Sequence, residues 1–203
     1  MLFKRGGAAA GEDIGKRKDA IMDYKMTIAG LERHLPLCKV TDDLYIAGFI
    51  MFNDVEITEA CARELLAQAP DFDVLITAES KGIPLAYEMA RQSGKPYIVA
   101  RKGVKLYMTD AVMVHVKSIT TSGVQTLCLG RDEREQMAGK KILIVDDVIS
   151  TGESLNALEK LVEAVGGKIV GKFTVLAEGE AADRDDITYL EYLPLFTPDG
   201  EPQ

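Results

Sequence analysis

The sequence predicts an α/β fold, a mostly parallel twisted sheet with helices on both faces. Three observations predict it. From residue 73 onward, short apolar runs such as DVLIT (73–77) and KILIV (141–145) alternate with helical patterns. Those runs lack the polar/apolar alternation of a half-exposed strand, as expected where both faces are covered. The segment 154–167 sets Leu155, Leu158, Val162 and Val165 on one helical face and ends at a Gly pair, so it carries a stripe to lay on such a sheet.

In chain order, residues 1–17 are Gly/Ala-rich and charged and read as a poorly ordered tail. Ile21, Met26, Ala29 and Leu31 predict a weakly patterned helix from Lys18 to Leu35, ending at Pro36. LYIAGFIMF (44–52) predicts a strand, with Asn53-Asp54 as a turn. Residues 57–68 predict a helix with Thr58 as a candidate cap. ESKG (79–82) is a loop, IPLAYEMARQSG (83–94) a helix closed by Gly94, and PYIVA (96–100) a strand. Residues 111–129 read as two strands around Thr121-Ser122-Gly123. RDEREQMAGK (131–140) is a charged connector, and the acidic EGEAADRDD (178–186) a solvated loop. KIVGKFTVLA (168–177) and ITYLEYLPLF (187–196) supply later strands, the second completing either the sheet or a ligand pocket.

The bulk numbers narrow the class. A chain of 203 residues suits one domain, here 18–203, and 47% hydrophobic residues exclude a mainly disordered chain. No apolar run approaches the roughly 20 residues of a membrane helix, and MLFKRGGAAAGED lacks a secretory signal's apolar stretch. Cys38, Cys61 and Cys128 are far apart without metal-ligand spacing, as expected of reduced thiols in the cytoplasm. A net charge of −8 argues against nucleic acid as a partner. It also makes any local cluster of cations informative.

The strongest motif is KILIVDDVISTGES (141–154). A buried strand ends in Asp146 and Asp147, and a short loop through Ser150, Thr151, Gly152, Glu153 and Ser154 opens a helix. Ligands of open α/β sheets sit at such strand ends. Hydroxyls, a glycine and free helix N–H groups suit a phosphate, and the adjacent carboxylates can accept from two vicinal hydroxyls. A ribose 5-phosphate presents both groups. An acid pair after a strand also occurs in magnesium sites of phosphatases and signalling receivers, and a TGxS loop can be a helix cap alone.

In this order the residues resemble the signature of the type I phosphoribosyltransferases, and the resemblance covers most of residues 44–177. It implies an N-terminal helix and a small hood within 18–56 and a mobile β flap at 103–126. It further implies that Asp146 and Asp147 hold the ribose hydroxyls, and magnesium only indirectly through the substrate. Ser150 to Ser154 would hold the 5-phosphate, with Glu153 standing where the family often has a second Gly. TAESKG (77–82) falls where the family grips pyrophosphate, through Ser80, Lys81 and Gly82, and ARKGVK (100–105) adds Arg101, Lys102 and Lys105.

The implied activity is transfer of ribose 5-phosphate from 5-phosphoribosyl pyrophosphate, with magnesium, to a purine base, in a homodimer that uses small-molecule substrates and neither membrane nor nucleic acid. IMFNDVEIT (50–58) is similar to the hood of adenine phosphoribosyltransferases, with Phe52 and Asn53 toward the base, although Asn53 replaces an Arg. ARKGVKLYMTD looks as much like xanthine phosphoribosyltransferases, and TAESKGIPLAYEMA like those enzymes and the purine-operon repressors. Asp110 is the sole carboxylate between Gly103 and Gln125 and the candidate to assist at the base. Adenine leads, ahead of xanthine or hypoxanthine/guanine, with a non-catalytic donor sensor as the rival. About 40 residues precede the hood, without a helix-turn-helix pattern.

Overall fold

The computed structural model of the chain describes residues 22–117 and 124–203. The tail at 1–17, the start of the expected first helix and the Thr121-Ser122-Gly123 turn lie outside them. The first described element corrects the sequence reading. Instead of a helix there is an antiparallel hairpin, β1 (Asp23–Ile28) and β2 (Leu31–Lys39). Tyr24, Met26 and Ile28 alternate inward with period two. Ala29 and Gly30 both have positive φ, 49° and 78°, as a tight two-residue hairpin turn demands. The short β3 (Tyr45–Ala47) pairs with β2 to complete this small sheet.

Next come α1 (Val55–Gln68), β4 (Val74–Ala78), α2 (Ile83–Ser93) and β5 (Tyr97–Ala100). The cap of α1 is Asp54 rather than Thr58: its Oδ1 accepts from the Ile57 N–H at 3.2 Å. The Thr58 hydroxyl instead donates back to the Asp54 carbonyl at 2.7 Å. Gly94 closes α2 in the left-handed conformation. β6 (Val112–Lys117) and β7 (Val124–Leu129) form the expected hairpin. The supposed connector after it is α3 (Arg131–Met137). Acidic Asp132 and Glu133 sit in its first turn and Met137 is fully buried, so one anchoring side chain outweighs an otherwise charged stretch.

The strand β8 (Lys141–Ile149) runs four residues past its expected end and includes both aspartates, in register with β9 (Lys168–Glu178). Between them lies α4 (Glu153–Ala164). A 3-10 helix (Gly179–Asp183) and β10 (Thr188–Leu193) finish the chain. The main sheet is parallel throughout, in the order β10-β9-β8-β4-β5.

Alternate residues of each strand enter different cores. Leu75, Leu143, Val145, Phe173 and Val175 face α1, α2 and the N-terminal hairpin, with Phe196 fully buried among them. Val74, Ile76, Ile142 and Ile144 face α4, whose Leu155, Leu158, Leu161 and Val162 are buried. Each such side chain contributes roughly 1.5–3 kcal/mol relative to exposure. This double burial is why the strands read as continuous apolar runs. β10 completes the sheet at its edge, and Phe196 just beyond it exchanges both backbone hydrogen bonds with Tyr45 at 2.9 Å, tying the hood to the core.

Candidate functional site

Parallel strands deliver their carboxyl ends to one side, and β4 and β8 are neighbours there. The loop after β4 carries Glu79, Ser80, Lys81 and Gly82; β8 carries Asp146 and Asp147. A cavity of about 230 Å³ is lined by Glu79, Ser80, Lys81, Lys102, Asp146, Asp147 and Ser154 among others. A second cavity of about 130 Å³ lies inside the Ser150–Ser154 loop and shares Asp146, Val148 and Ser154 with the first. The two cavities adjoin at these shared residues, with an anion loop on either side of the two carboxylates.

Gly82 lets the first loop reach the acid pair. A Cβ there would sit 2.4 Å from Thr77 Oγ1 and 2.9 Å from Asp146 Oδ1, closer than any side chain allows. Its neighbour Lys81 places Nζ 3.2 Å from Asp147 Oδ2. This is an ion contact without hydrogen-bond alignment, for Asp147 Oδ2 is buried and has no hydrogen-bond partner. Asp147 as a whole is 3% exposed. Its backbone N–H donates to Asp146 Oδ1 at 3.0 Å. Burial, reinforced by the adjacent Asp147, pushes the Asp146 carboxyl well above the usual carboxylate range, with Lys81 pulling weakly the other way. The groove therefore holds an acid pair in which one carboxylate oxygen, Asp147 Oδ2, lacks a hydrogen-bond donor, beside flanking loops that offer N–H and hydroxyl groups.

The expected pyrophosphate cations take separate positions. Lys81 and Lys102 line the groove. Arg101 and Lys105 turn instead to Glu79, at 3.7 and 3.8 Å. Glu79, quoted in the motif but given no role there, also accepts the Lys102 N–H at 3.0 Å, and that bond holds its carboxyl below the usual range. A carboxylate two residues before the lysine of an anion loop was the signal for it. Arg101 also exchanges two backbone hydrogen bonds with Cys128, at 3.0 and 2.9 Å, fastening the β6–β7 hairpin beside this loop.

Other expected residues lie elsewhere. Asp110 is exposed, has φ of 47° and faces Arg131 at 4.0 Å; it lines neither cavity. Phe52 and Asn53 line a separate cavity of about 280 Å³ with Met51, Pro84 and Tyr87, which shares no lining residue with the groove. Beside it Arg33, from the N-terminal hairpin, binds Asp54 through Nε at 2.7 Å and Nη2 at 3.0 Å, and Glu56 through Nη2 at 2.8 Å. Those bonds hold the Asp54 carboxyl below its usual range. His34 pairs with Asp23 and His115 meets Thr126 Oγ1 at 2.9 Å, both on exposed hairpins.

Residues 53–197 match the phosphoribosyl transferase domain family. The purine biosynthesis transcriptional repressor of Bacillus subtilis is 31% identical over 127 residues, 63% of this chain; the match spans 43% of the repressor's length. The adenine phosphoribosyltransferase of Thermotoga petrophila is 37% identical over 124 residues, 60% of this chain and 69% of that enzyme. Among solved structures, the Saccharomyces cerevisiae adenine phosphoribosyltransferase in complex with adenine shares the fold, with a TM-score of 0.61 at 18% identity over 82% of this chain and 90% of that one. No helix among the described residues is long and apolar enough to cross a membrane.

Proposed function

Because this chain belongs to the phosphoribosyl transferase domain family, we propose that it transfers ribose 5-phosphate from 5-phosphoribosyl pyrophosphate to a purine base, with adenine favoured. The observation that carries this reading is the pair of adjoining polar cavities, in which Asp146 and Asp147 lie between the Ser80–Gly82 loop and the Ser150–Ser154 loop. Asp147 Oδ2 without a donor suits a ribose hydroxyl, which can donate to it. The Ser150–Ser154 loop at the start of α4 suits the 5-phosphate. Ser80, Lys81, Gly82 and Lys102 suit the pyrophosphate, with Arg101 and Lys105 held in reserve by Glu79.

Displacement of pyrophosphate by a ring nitrogen separates charge: C1 becomes cation-like and the leaving group more anionic. Groups that meet those charges only as they develop accelerate the step. The acid pair favours positive charge at the sugar, while Lys81 and Lys102 receive the negative charge. Among the described residues no group of three or more His, Cys, Asp or Glu side chains could hold a metal ion alone. Magnesium would instead ride on the pyrophosphate, beside Asp146 and Asp147, where it would neutralise leaving charge. A movement of the described residues around Asp110 would be needed to bring it near the base, and would also exclude water.

Adenine is supported by the relatives and by the hood. Phe52 and Tyr87 offer stacking surface, and a base stacked on Phe52 requires the hood to close toward the strand ends. Free Cys61 and Cys128, both buried, fit a reducing cytoplasm. A homodimer remains part of the proposal, to be read as mass by light scattering.

The deciding experiment is pyrophosphate release with magnesium and the donor, against adenine, hypoxanthine, guanine, xanthine, uracil and orotate. Adenine-dependent release supports the reading. Release with xanthine or guanine instead moves the substrate within the purines. Donor binding without release for any base favours the second reading, a donor-sensing regulator, which the repressor relative supports.

A further inference from the structure

The segment 178–186, acidic enough to read as a solvated loop, keeps Glu180, Asp183, Asp185 and Asp186 exposed but brings Arg184 against the phosphate loop. Resting on the phosphoribosyl reading above, its one cation acquires a role. The Ser150–Ser154 loop has no cation of its own and one carboxylate, Glu153. A phosphate monoester brings nearly two negative charges, against about half a positive charge at a helix N-terminus. A guanidinium stands beside that loop. Arg184 Nη1 lies 3.0 Å, and its Cζ 3.9 Å, from the point where a Cβ on Gly152 would be.

The guanidinium is fixed. Its Nε donates to Asp186 Oδ1 at 2.9 Å and its Nη2 to Asp186 Oδ2 at 2.8 Å, so that one edge is spent on Asp186 and Nη1 turns to Gly152. Asp186 accepts in addition from Lys172 Nζ at 2.7 Å, and Lys172 pairs with Glu159 of α4. Alternating charges therefore link α4, β9 and residues 184–186 to the phosphate loop. Lys172 and Glu159 are 19% and 22% exposed, which limits screening. Because Asp186 is shared by two cations, it compensates Arg184 only in part. Gly152, with φ of 75°, is the residue that permits both this turn and this approach.

We propose that Arg184 is a positioning residue for the 5-phosphate of the donor, supplying positive charge across Gly152 while Asp186 and Lys172 hold it in place. The test is calorimetric titration of wild type, Arg184→Gln, Arg184→Lys and Asp186→Asn with ribose 5-phosphate and, separately, with magnesium pyrophosphate. In Arg184→Gln, ribose 5-phosphate should bind about 10- to 100-fold more weakly, the size of a lost charge-assisted contact. Magnesium pyrophosphate should bind within about twofold of wild type, and Arg184→Lys should recover part of the loss. Asp186→Asn should fall between wild type and Arg184→Gln. Unchanged ribose 5-phosphate affinity in Arg184→Gln, or an equal loss of both ligands, overturns the proposal. Wild-type protein that binds neither ligand overturns the phosphoribosyl reading itself, a result seen before any variant is made.

Discussion

Lys81 Nζ stands 3.2 Å from Asp147 Oδ2, across the gap between the loop after β4 and the end of β8. The lysine is half exposed and the carboxylate almost wholly buried, so the contact joins a solvent-facing anion loop to a desolvated acid pair.

Removal of either partner should have distinct effects. Asp147→Asn should keep its fold and lose turnover by about 100-fold or more, since it removes transition-state charge stabilisation. Lys81→Ala should mainly weaken donor binding, by about 10-fold. Steady-state kcat and KM for the donor separate the two; wild-type kcat in Asp147→Asn would remove the acid pair from the mechanism.

Asp146 should show function traded against stability. Its raised pKa means that the folded state disfavours its charge, so stability is lost as pH rises above the ordinary carboxylate value. Asp146→Asn removes that cost and should melt higher at pH 7, by about 2–4 °C for each kcal/mol recovered, while its activity falls. A lower melting temperature than wild type would contradict this.

Gly82→Ala should be destabilising by roughly 1–3 kcal/mol, as an overpacked site is. The added methyl meets Thr77 Oγ1 and Asp146 Oδ1 at 2.4 and 2.9 Å. Because one of those atoms belongs to Thr77, Gly82→Ala should cost less in a Thr77→Ala background. Urea denaturation of the four proteins in that cycle measures the coupling, and strict additivity would place the clash elsewhere.

Acid stability should depend on Asp186. Hydrogen bonds from Arg184 and Lys172 depress its pKa from 3.8 to about 2 in the folded state. Its contribution is thus fully present above the unfolded value and is lost as pH falls from about 4 to about 2. Discounted for its partial exposure, that contribution is about 1 kcal/mol. Melting temperatures of wild type and Asp186→Asn should converge across that window, and a gap that persists below pH 2 would argue against the linkage.

The legible parts of this protein were those written in consecutive residues. KILIVDDVISTGES placed a strand, an acid pair and a phosphate-type loop in order because each depends on its own local chemistry. Residues 22–39 were not legible in that way. Met26, Ala29 and Leu31 fit a helix as well as a strand, and the hairpin is settled by Ile28 and Leu35 entering a core that includes Phe196, far along the chain. The helix α3 was hidden for a related reason: only Met137 marks its buried side.

The sequence by itself determined the double-faced parallel sheet and the motif at its strand ends, since burial on both faces leaves continuous apolar runs and a phosphate loop needs its glycine and hydroxyls in series. Only the tertiary structure decided which charges meet. Arg101 and Lys105 turn to Glu79, Arg33 reaches Asp54, and Arg184 comes to rest against Gly152. Coulombic contacts depend on distance in space, and residues 21 or 32 positions apart are brought together only by how the hairpin and the strands pack.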